Sequence, residues 1–286
     1  MRNNPEIQRV LAEYSLGVPR HTAAGRSGEL LGRGTGTSLE FQEYREYLPG
    51  DDIRHLDWAA YARSDALMVR LYREEVSPRV EVLLDTSRSM ATAESKPQLA
   101  KQLAATFSLL SASLGGSPVV WLAADSSPPE ALAIEMLDRL SDLQFDASVS
   151  LDELLRGHGV PLRQQAIRIV ISDFLFPFDP ESLVARLRRE AAEVWLVQVL
   201  SGWELNPTEA SGTRLIDAVT AAETHLYLNR ATIAGYLGRL HRLQQDLHSQ
   251  CIRAGAKFVT LNADLGLAAS CREALAPAGM LTPGAV

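Results

Sequence analysis

From residue 80 onward the chain alternates between short apolar runs and longer stretches with an apolar residue every third or fourth position. VEVLLD (80–85), VVWLAA (119–124), AIRIVISD (166–173) and EVWLVQVL (193–200) are nearly unbroken apolar runs. Strands covered on both faces read this way. Between them, KPQLAKQLAATFSLLSASLGG sets Leu99, Leu103, Phe107, Leu110 and Leu114 at helical spacing and ends at Gly115-Gly116. PPEALAIEMLDRLSDL reads as a helix with proline near its start, Ser150–Arg156 as a short helix, and PESLVARLRREA as another. The pattern then loosens. GTRLIDAVT and ETHLYLN read as paired short strands, and Ile233, Leu237, Leu240, Leu247, Cys251 and Ala254 mark one face of a long helix. KFVTLN is a last strand, a short helix follows from Leu265, and the tail LTPGAV is expected to fray. This alternation predicts an α/β domain over 80–280, doubly wound around a mostly parallel sheet, with a flexible tail at 281–286.

The first 79 residues differ in texture. An amphipathic helix is expected over Pro5–Leu16, followed by the Gly-rich stretch GRSGELLGRGTGTSLEF. Then Phe41, Tyr44, Tyr47, Trp58, Tyr61 and Tyr72 alternate with acids and arginines, with a turn at Pro49-Gly50-Asp51. That is too aromatic for a disordered linker, so residues 1–79 are expected to form an N-terminal leader packed on the α/β domain. Arg45, Asp51, Asp52, Arg54, Asp57, Trp58 and Arg63 form either a functional constellation or the ion pairs and aromatic contacts that dock the leader. The need to pair buried charges favours docking.

Composition narrows the function. The chain has 286 residues, 46% of them hydrophobic, with 28 Lys plus Arg against 35 Asp plus Glu and a net charge of −7. Non-specific nucleic-acid binding depends on basic residues that neutralise phosphates, and this balance argues against it. The two cysteines, Cys251 and Cys271, form no C-x-x-C pair. A zinc ribbon or dithiol motif is therefore not expected, and a reducing compartment suits them. The N-terminus is too polar for a signal peptide, and no run approaches the ~18 apolar residues of a membrane span. A cytoplasmic protein without a membrane span is expected.

The candidate chemistry lies where two apolar runs end in acids, at Asp85 and Asp173. Open parallel sheets bind ligands at the carboxyl ends of their strands, near the point where strand order reverses. Asp85, Ser87 and Ser89 stand at i, i+2 and i+4, so a turning loop can aim all three at one point. One carboxylate and two hydroxyls are hard oxygen donors that suit Mg²⁺ or Mn²⁺ and do not suit zinc. The competing reading is plain helix capping, because Asp, Ser and Thr are all good N-caps.

Other motifs fail on context. Gly-x-Gly in GRGTGTS has no preceding strand, and neither a P-loop nor a Gly-x-Ser-x-Gly elbow is present. Asp85-Thr86-Ser87 lacks the second acid of the Asp-x-Asp found in haloacid dehalogenase-type phosphotransferases. His241 and His248, seven residues apart, do not form an i, i+4 metal pair.

VEVLLDTSRSM resembles the metal-ion-dependent adhesion site of von Willebrand factor A domains, whose signature is Asp-x-Ser-x-Ser. GRGTGTSLEFQEYREYLPGDDIRHLDWAAYARSDALMVRLYREE resembles the leader of a bacterial family catalogued as domain of unknown function 58, which joins such a leader to an A-like fold. The resemblance continues through ISDF and, more weakly, through ELNPTEASGTRLIDAVT. It implies a von Willebrand factor A-like, Rossmann-like sheet. It implies Asp85, Ser87 and Ser89 as the first metal loop and Asp173 as the acid of the third. The second loop of the pattern carries a threonine. Here it reads FDASVSLDELLRG, where Ser148 or Ser150 stands in. The resemblance further implies a non-enzymatic adaptor or co-chaperone that binds an acidic residue of a protein partner, with a MoxR-type AAA+ ATPase as the expected partner. The alternatives are a metal-dependent hydrolase, with Asp57 or Asp125 as an unplaced base, and a scaffold whose metal site is vestigial.

Overall fold

The computed structural model describes residues 1–18, 39–49, 56–64, 66–74, 78–126, 129–157, 160–209, 214–216, 223–225 and 228–284. It divides into two compact units, Met1–Val18 with Pro78–Val286, and Pro19–Ser77. Of the leader expected over 1–79, the first eighteen residues therefore belong to the larger unit.

The larger unit opens with α1 (Pro5–Glu13), capped by the Asn4 side chain, and β1 (Tyr14–Leu16). The helix expected to reach Leu16 stops three residues early because Tyr14–Leu16 pairs with another strand. In the smaller unit, β2 (Leu39–Glu46) and β3 (Met68–Glu74) form an antiparallel ribbon with a bulge between Phe41 and Glu43, and α2 (Trp58–Ser64) lies between them in sequence. Asp57 caps α2, accepting the Ala59 and Ala60 N–H groups at 2.9 and 3.0 Å, and also accepts the Tyr44 hydroxyl at 2.8 Å. Trp58 meets Tyr61 edge-on at 6.4 Å. The Gly-rich residues 25–38 and Asp51, Asp52 and Arg54 lie outside the described residues.

The larger unit continues with β4 (Val80–Asp85), α3 (Ser95–Ser113), β5 (Val119–Ala123), β6 (Glu130–Ala133), α4 (Leu151–Gly157), β7 (Ile167–Ser172), α5 (Pro180–Arg188), β8 (Glu193–Leu200) and α6 (Gly202–Leu205). Then come β9 (Arg214–Ile216), β10 (Glu223–His225), α7 (Arg230–Ala254), β11 (Lys257–Asn262), α8 (Gly266–Ser270) and β12 (Leu281–Pro283). Six strands form one sheet in the order β11-β8-β7-β4-β5-β6, parallel except where β6 pairs antiparallel with β5. Strand residues alternate between two cores. Val82, Leu84, Ile169 and Val197 face α1, α3 and α8, whereas Leu83, Val170 and Leu196 face α4, α5 and α7. Both sheet faces are thus covered by helices, and the strands are apolar without interruption for that reason.

Two further expectations need correction. Residues expected to begin a helix after Pro128-Pro129 form β6 and then a 3₁₀ stretch, Ile134–Ser141. Leu132 is buried while its neighbours Ala131 and Ala133 are exposed, so these residues alternate as an edge strand does. The tail expected to fray instead begins with β12, antiparallel to β1. Leu281 and Leu16 are both buried, and that burial holds the pair in place. The paired strands expected around 214 and 225 are present as β9 and β10.

Candidate metal centre

Chain order places the site. From β4 the sheet grows through β5 and β6 on one side, and then β7, β8 and β11 fill the other side. The order reverses between β4 and β7, and their carboxyl ends carry Asp85 and the Ser172-Asp173 pair. Both carboxylates are fully buried.

Asp85 does not cap α3. Its Oδ1 accepts the Ser87 N–H at 2.9 Å and its Oδ2 accepts the Ser172 hydroxyl at 2.5 Å. The N-cap position of α3 is Glu94, which makes no side-chain cap bond. The carboxylate is spent on shaping its own loop. In that loop the Ser87 and Ser89 hydroxyls lie 3.1 Å apart. Adjacent ligands of a small octahedral cation, each about 2.1 Å from the ion, are about 3 Å apart, so the two hydroxyls match one octahedral edge. Thr86 ties the loop to β5 by donating to the Ala123 carbonyl at 2.7 Å.

Asp173 meets a residue that sequence reasoning did not single out. Lys96, in the first turn of α3, is fully buried. Its ammonium donates to Asp173 Oδ2 at 2.9 Å, Glu204 Oε1 at 2.8 Å and the Ser89 carbonyl at 2.9 Å. A cation at a helix N-terminus opposes the helix dipole, and a buried one must be paired. The two carboxylates supply that pairing. Glu204 is held by its own capping box: its Oε2 accepts the Ser201 N–H and hydroxyl at 2.7 and 3.0 Å. Thr92 also donates to Glu204 Oε1, at 3.3 Å.

Asp173 and Glu204 share the one Lys96 ammonium, and the buried Asp85 carboxyl lies near enough to Asp173 to feel its charge. If all are ionised, two negative charges remain unmatched. Burial, followed by the like charge of Asp173, pushes the Asp85 carboxyl up from 3.8 to about 6, against the lowering effect of the Ser172 and Ser87 hydrogen bonds. A divalent ion would balance the surplus, and Ser87 and Ser89, with Asp85 and Asp173 behind them, have the hard-oxygen chemistry to hold it. Among the described residues no group of three or more His, Cys, Asp or Glu side chains is placed to hold a metal ion, so an ion here would rest on the two serine hydroxyls together with the carboxylates behind them.

The second loop is joined to the first by backbone. Ala147 N–H donates to the Thr86 carbonyl at 3.1 Å, and Arg88 N–H to the Ala147 carbonyl at 3.2 Å. Ser148 itself is exposed, and its hydroxyl and N–H donate to Asp125 at 2.9 Å. Ser150 donates to Glu153 at 2.9 Å. Asp85, Ser87, Ser89 and Asp173 are thus brought together, while the Ser148 hydroxyl is directed to Asp125. The Val149 N–H and Ser148 hold the Asp125 carboxyl below its ordinary range, which weakens it as a proton acceptor. Glu204 carried a usable sequence signal, the Ser-x-x-Glu capping box directly after an apolar run. Lys96 carried a weaker one, as the single charged residue in the first turn of a helix buried on most sides.

Over 282 residues the chain is 26% identical to uncharacterized protein Rv1480 of Mycobacterium tuberculosis and to uncharacterized protein Mb1516 of Mycobacterium bovis, matching 92% of this chain and 86% of theirs. Two solved structures superpose loosely, each on 65% of this chain. One is an aerotolerance-related membrane protein of Bacteroides fragilis, at 14% identity, 92% of its own chain and a TM-score of 0.38. The other is the conserved hypothetical protein BatB of Bacteroides thetaiotaomicron, at 15% identity, 90% of its own chain and a TM-score of 0.38. Among the described residues no helix is long and apolar enough to cross a membrane. Residues 43–236 match the family profile described as protein of unknown function DUF58, and the chain belongs to that family.

Proposed function

We propose that this chain is a metal-dependent protein-binding module with a von Willebrand factor A-like ion site, acting as an adaptor or co-chaperone for a MoxR-type AAA+ ATPase in complex assembly or metal loading. The observation that carries the reading is the charge surplus beside a matched hydroxyl pair: Asp85, Asp173 and Glu204 against Lys96, with Ser87 and Ser89 3.1 Å apart. A dication held there would offer an open Lewis-acid position that a partner's Asp or Glu can fill. The ATPase partner comes from the family resemblance alone. The hydrolase alternative has less support, because the two acids available as bases, Asp57 and Asp125, are both committed to backbone N–H groups.

A second reading has its own observation. Lys96 already gives Asp173 a cation, and Ser148 gives its hydroxyl to Asp125. In that reading the lysine staples the loops into a docking face that needs no ion.

Thermal unfolding with Mg²⁺ or Mn²⁺ and with chelator, for wild type and Asp85→Ala, separates the two. A ligand of the folded state alone must raise stability. An ion-dependent rise in wild type that is lost in Asp85→Ala supports the metal module, and no rise in either leaves the stapled scaffold. Co-purification with an AAA+ ATPase that depends on Asp85 tests the partner. Metal-dependent turnover of phosphoesters would overturn the non-enzymatic reading.

A further inference from the structure

Directly after Asp173 the chain takes an unusual turn. Phe174 has φ 55°, in the left-handed region, although it is a bulky aromatic and fully buried. Such a residue costs on the order of 1–3 kcal/mol unless its surroundings hold it. Here the Phe174 N–H donates to Ser172 Oγ at 3.0 Å and the Leu175 N–H to Asp173 Oδ1 at 2.9 Å, while Phe176 and Phe178 pack on the Phe174 ring. The turn presents Leu175 to solvent with 37% of its surface exposed.

Between this turn and α7 lies a cavity of about 380 Å³, walled by Phe174, Leu175, Phe176, Leu240 and Leu243. That volume falls in the ~300–1,000 Å³ range of ligand pockets. Two polar groups stand in its lining. The Tyr236 hydroxyl is buried without a hydrogen-bond partner, and burial together with Glu204 and Asp173 pushes its pKa up to about 12. The Arg239 guanidinium is exposed and pairs with no carboxylate among the described residues. The combination of an apolar floor, a phenol that stays protonated as a donor, and an unpaired cation at the rim complements a ligand that is apolar at one end and anionic at the other.

We infer that this cavity is an apolar subsite for a partner polypeptide. It takes one large aliphatic or aromatic side chain from a segment that also carries an acidic residue, whose carboxylate pairs with Arg239. The inference rests on reading the adjoining loops as a partner-docking face, and it adds the partner's chemistry, an acidic segment with an apolar anchor. Anchors of this kind in desolvated pockets dominate interface energetics.

The test is to pan a random-peptide display library against the full chain, in Mg²⁺ and in chelator. Selected peptides are then measured by fluorescence anisotropy on wild type, Leu175→Ser and Arg239→Glu. Both substitutions are at exposed positions, and unfolding temperatures verify that the variants fold. The expected result is enrichment of peptides with Leu, Ile, Phe or Trp near an Asp or Glu, and affinity reduced by about tenfold in each variant. The Mg²⁺-dependent rise in unfolding temperature should persist in both. Enrichment without an apolar position, affinities unchanged in both variants, or no enrichment at all overturns the inference. So does a cavity that takes decanoate but no peptide. Anchor-bearing peptides that bind equally well in chelator leave the cavity standing and overturn the ion bridge. An Mg²⁺ shift with no peptide bound does the reverse.

Discussion

Replacing Lys96 by methionine removes the ammonium that pairs Asp173 and Glu204 in a buried cluster while roughly keeping the side chain's length. In the wild type its ammonium lies 2.9 Å from Asp173 and 2.8 Å from Glu204, and it is fully buried. Removing one partner of a buried ion pair costs about 3–5 kcal/mol, because the remaining charge is stranded. For a unit of this size each kcal/mol moves the unfolding temperature by about 2–4 °C, so a fall of roughly 6–20 °C is expected in chelator. Adding Glu204→Gln removes one stranded charge and should restore part of the loss, a coupling that a double-mutant cycle reads directly. Saturating Mg²⁺ should return more stability to Lys96→Met than it adds to wild type, because the ion takes over neutralisation from the ammonium. A loss within about 0.5 kcal/mol, the size of an ordinary surface change, would refute the cluster as the electrostatic centre of the site.

Asp85 sets a pH dependence. Its folded-state pKa, about 6, is above the ordinary 3.8, so between those values the folded chain holds a proton that the unfolded chain has lost. Stability in chelator should therefore fall as pH rises from about 4 through 6, by about 3 kcal/mol at most, and Asp85→Asn should flatten that part of the profile. A profile that rises across the window contradicts the assignment. Arg168→Met should cost about 3–5 kcal/mol in a denaturant titration, since it takes the cation from buried Glu81 and the guanidinium donors from the carbonyls of Arg163, Leu187 and Arg189. A loss within the range of surface substitutions would count against it. Cys251 and Cys271, buried thiols pushed up to about 12, should resist maleimide in the native chain and react on unfolding, as followed by mass spectrometry. Rapid native labelling would contradict their burial.

Much of this architecture was legible because burial on both sheet faces leaves an unmistakable trace. The runs at 80–85, 167–172 and 193–200 had no other sensible reading. What failed did so where local pattern and tertiary pairing disagree. Glu130–Ala133 has no strand propensity to speak of, and it becomes a strand only because β5 offers it an edge. The tail pairs because β1, hundreds of residues earlier in sequence, is placed beside it by α1. That Asp85, Ser87 and Ser89 share one loop was readable, since sequence spacing alone brings those three together. The contact between Lys96 and Glu204 was not, because it depends on how α3 and the loop after β8 converge across 108 residues of chain. A lysine in a helix's first turn ordinarily reads as solvated, and nothing in its neighbours discloses the carboxylates that bury it.

The proposed ion site is tested most directly by titrating Mn²⁺ into metal-free protein by calorimetry, with the variant carrying both Ser87→Ala and Ser89→Ala alongside. One ion per chain, lost in the variant while its fold persists, is the expected result. No heat of binding in wild type, with an unfolding temperature indifferent to the ion, would contradict it and leave the Lys96 ammonium as the partner of Asp173 and Glu204.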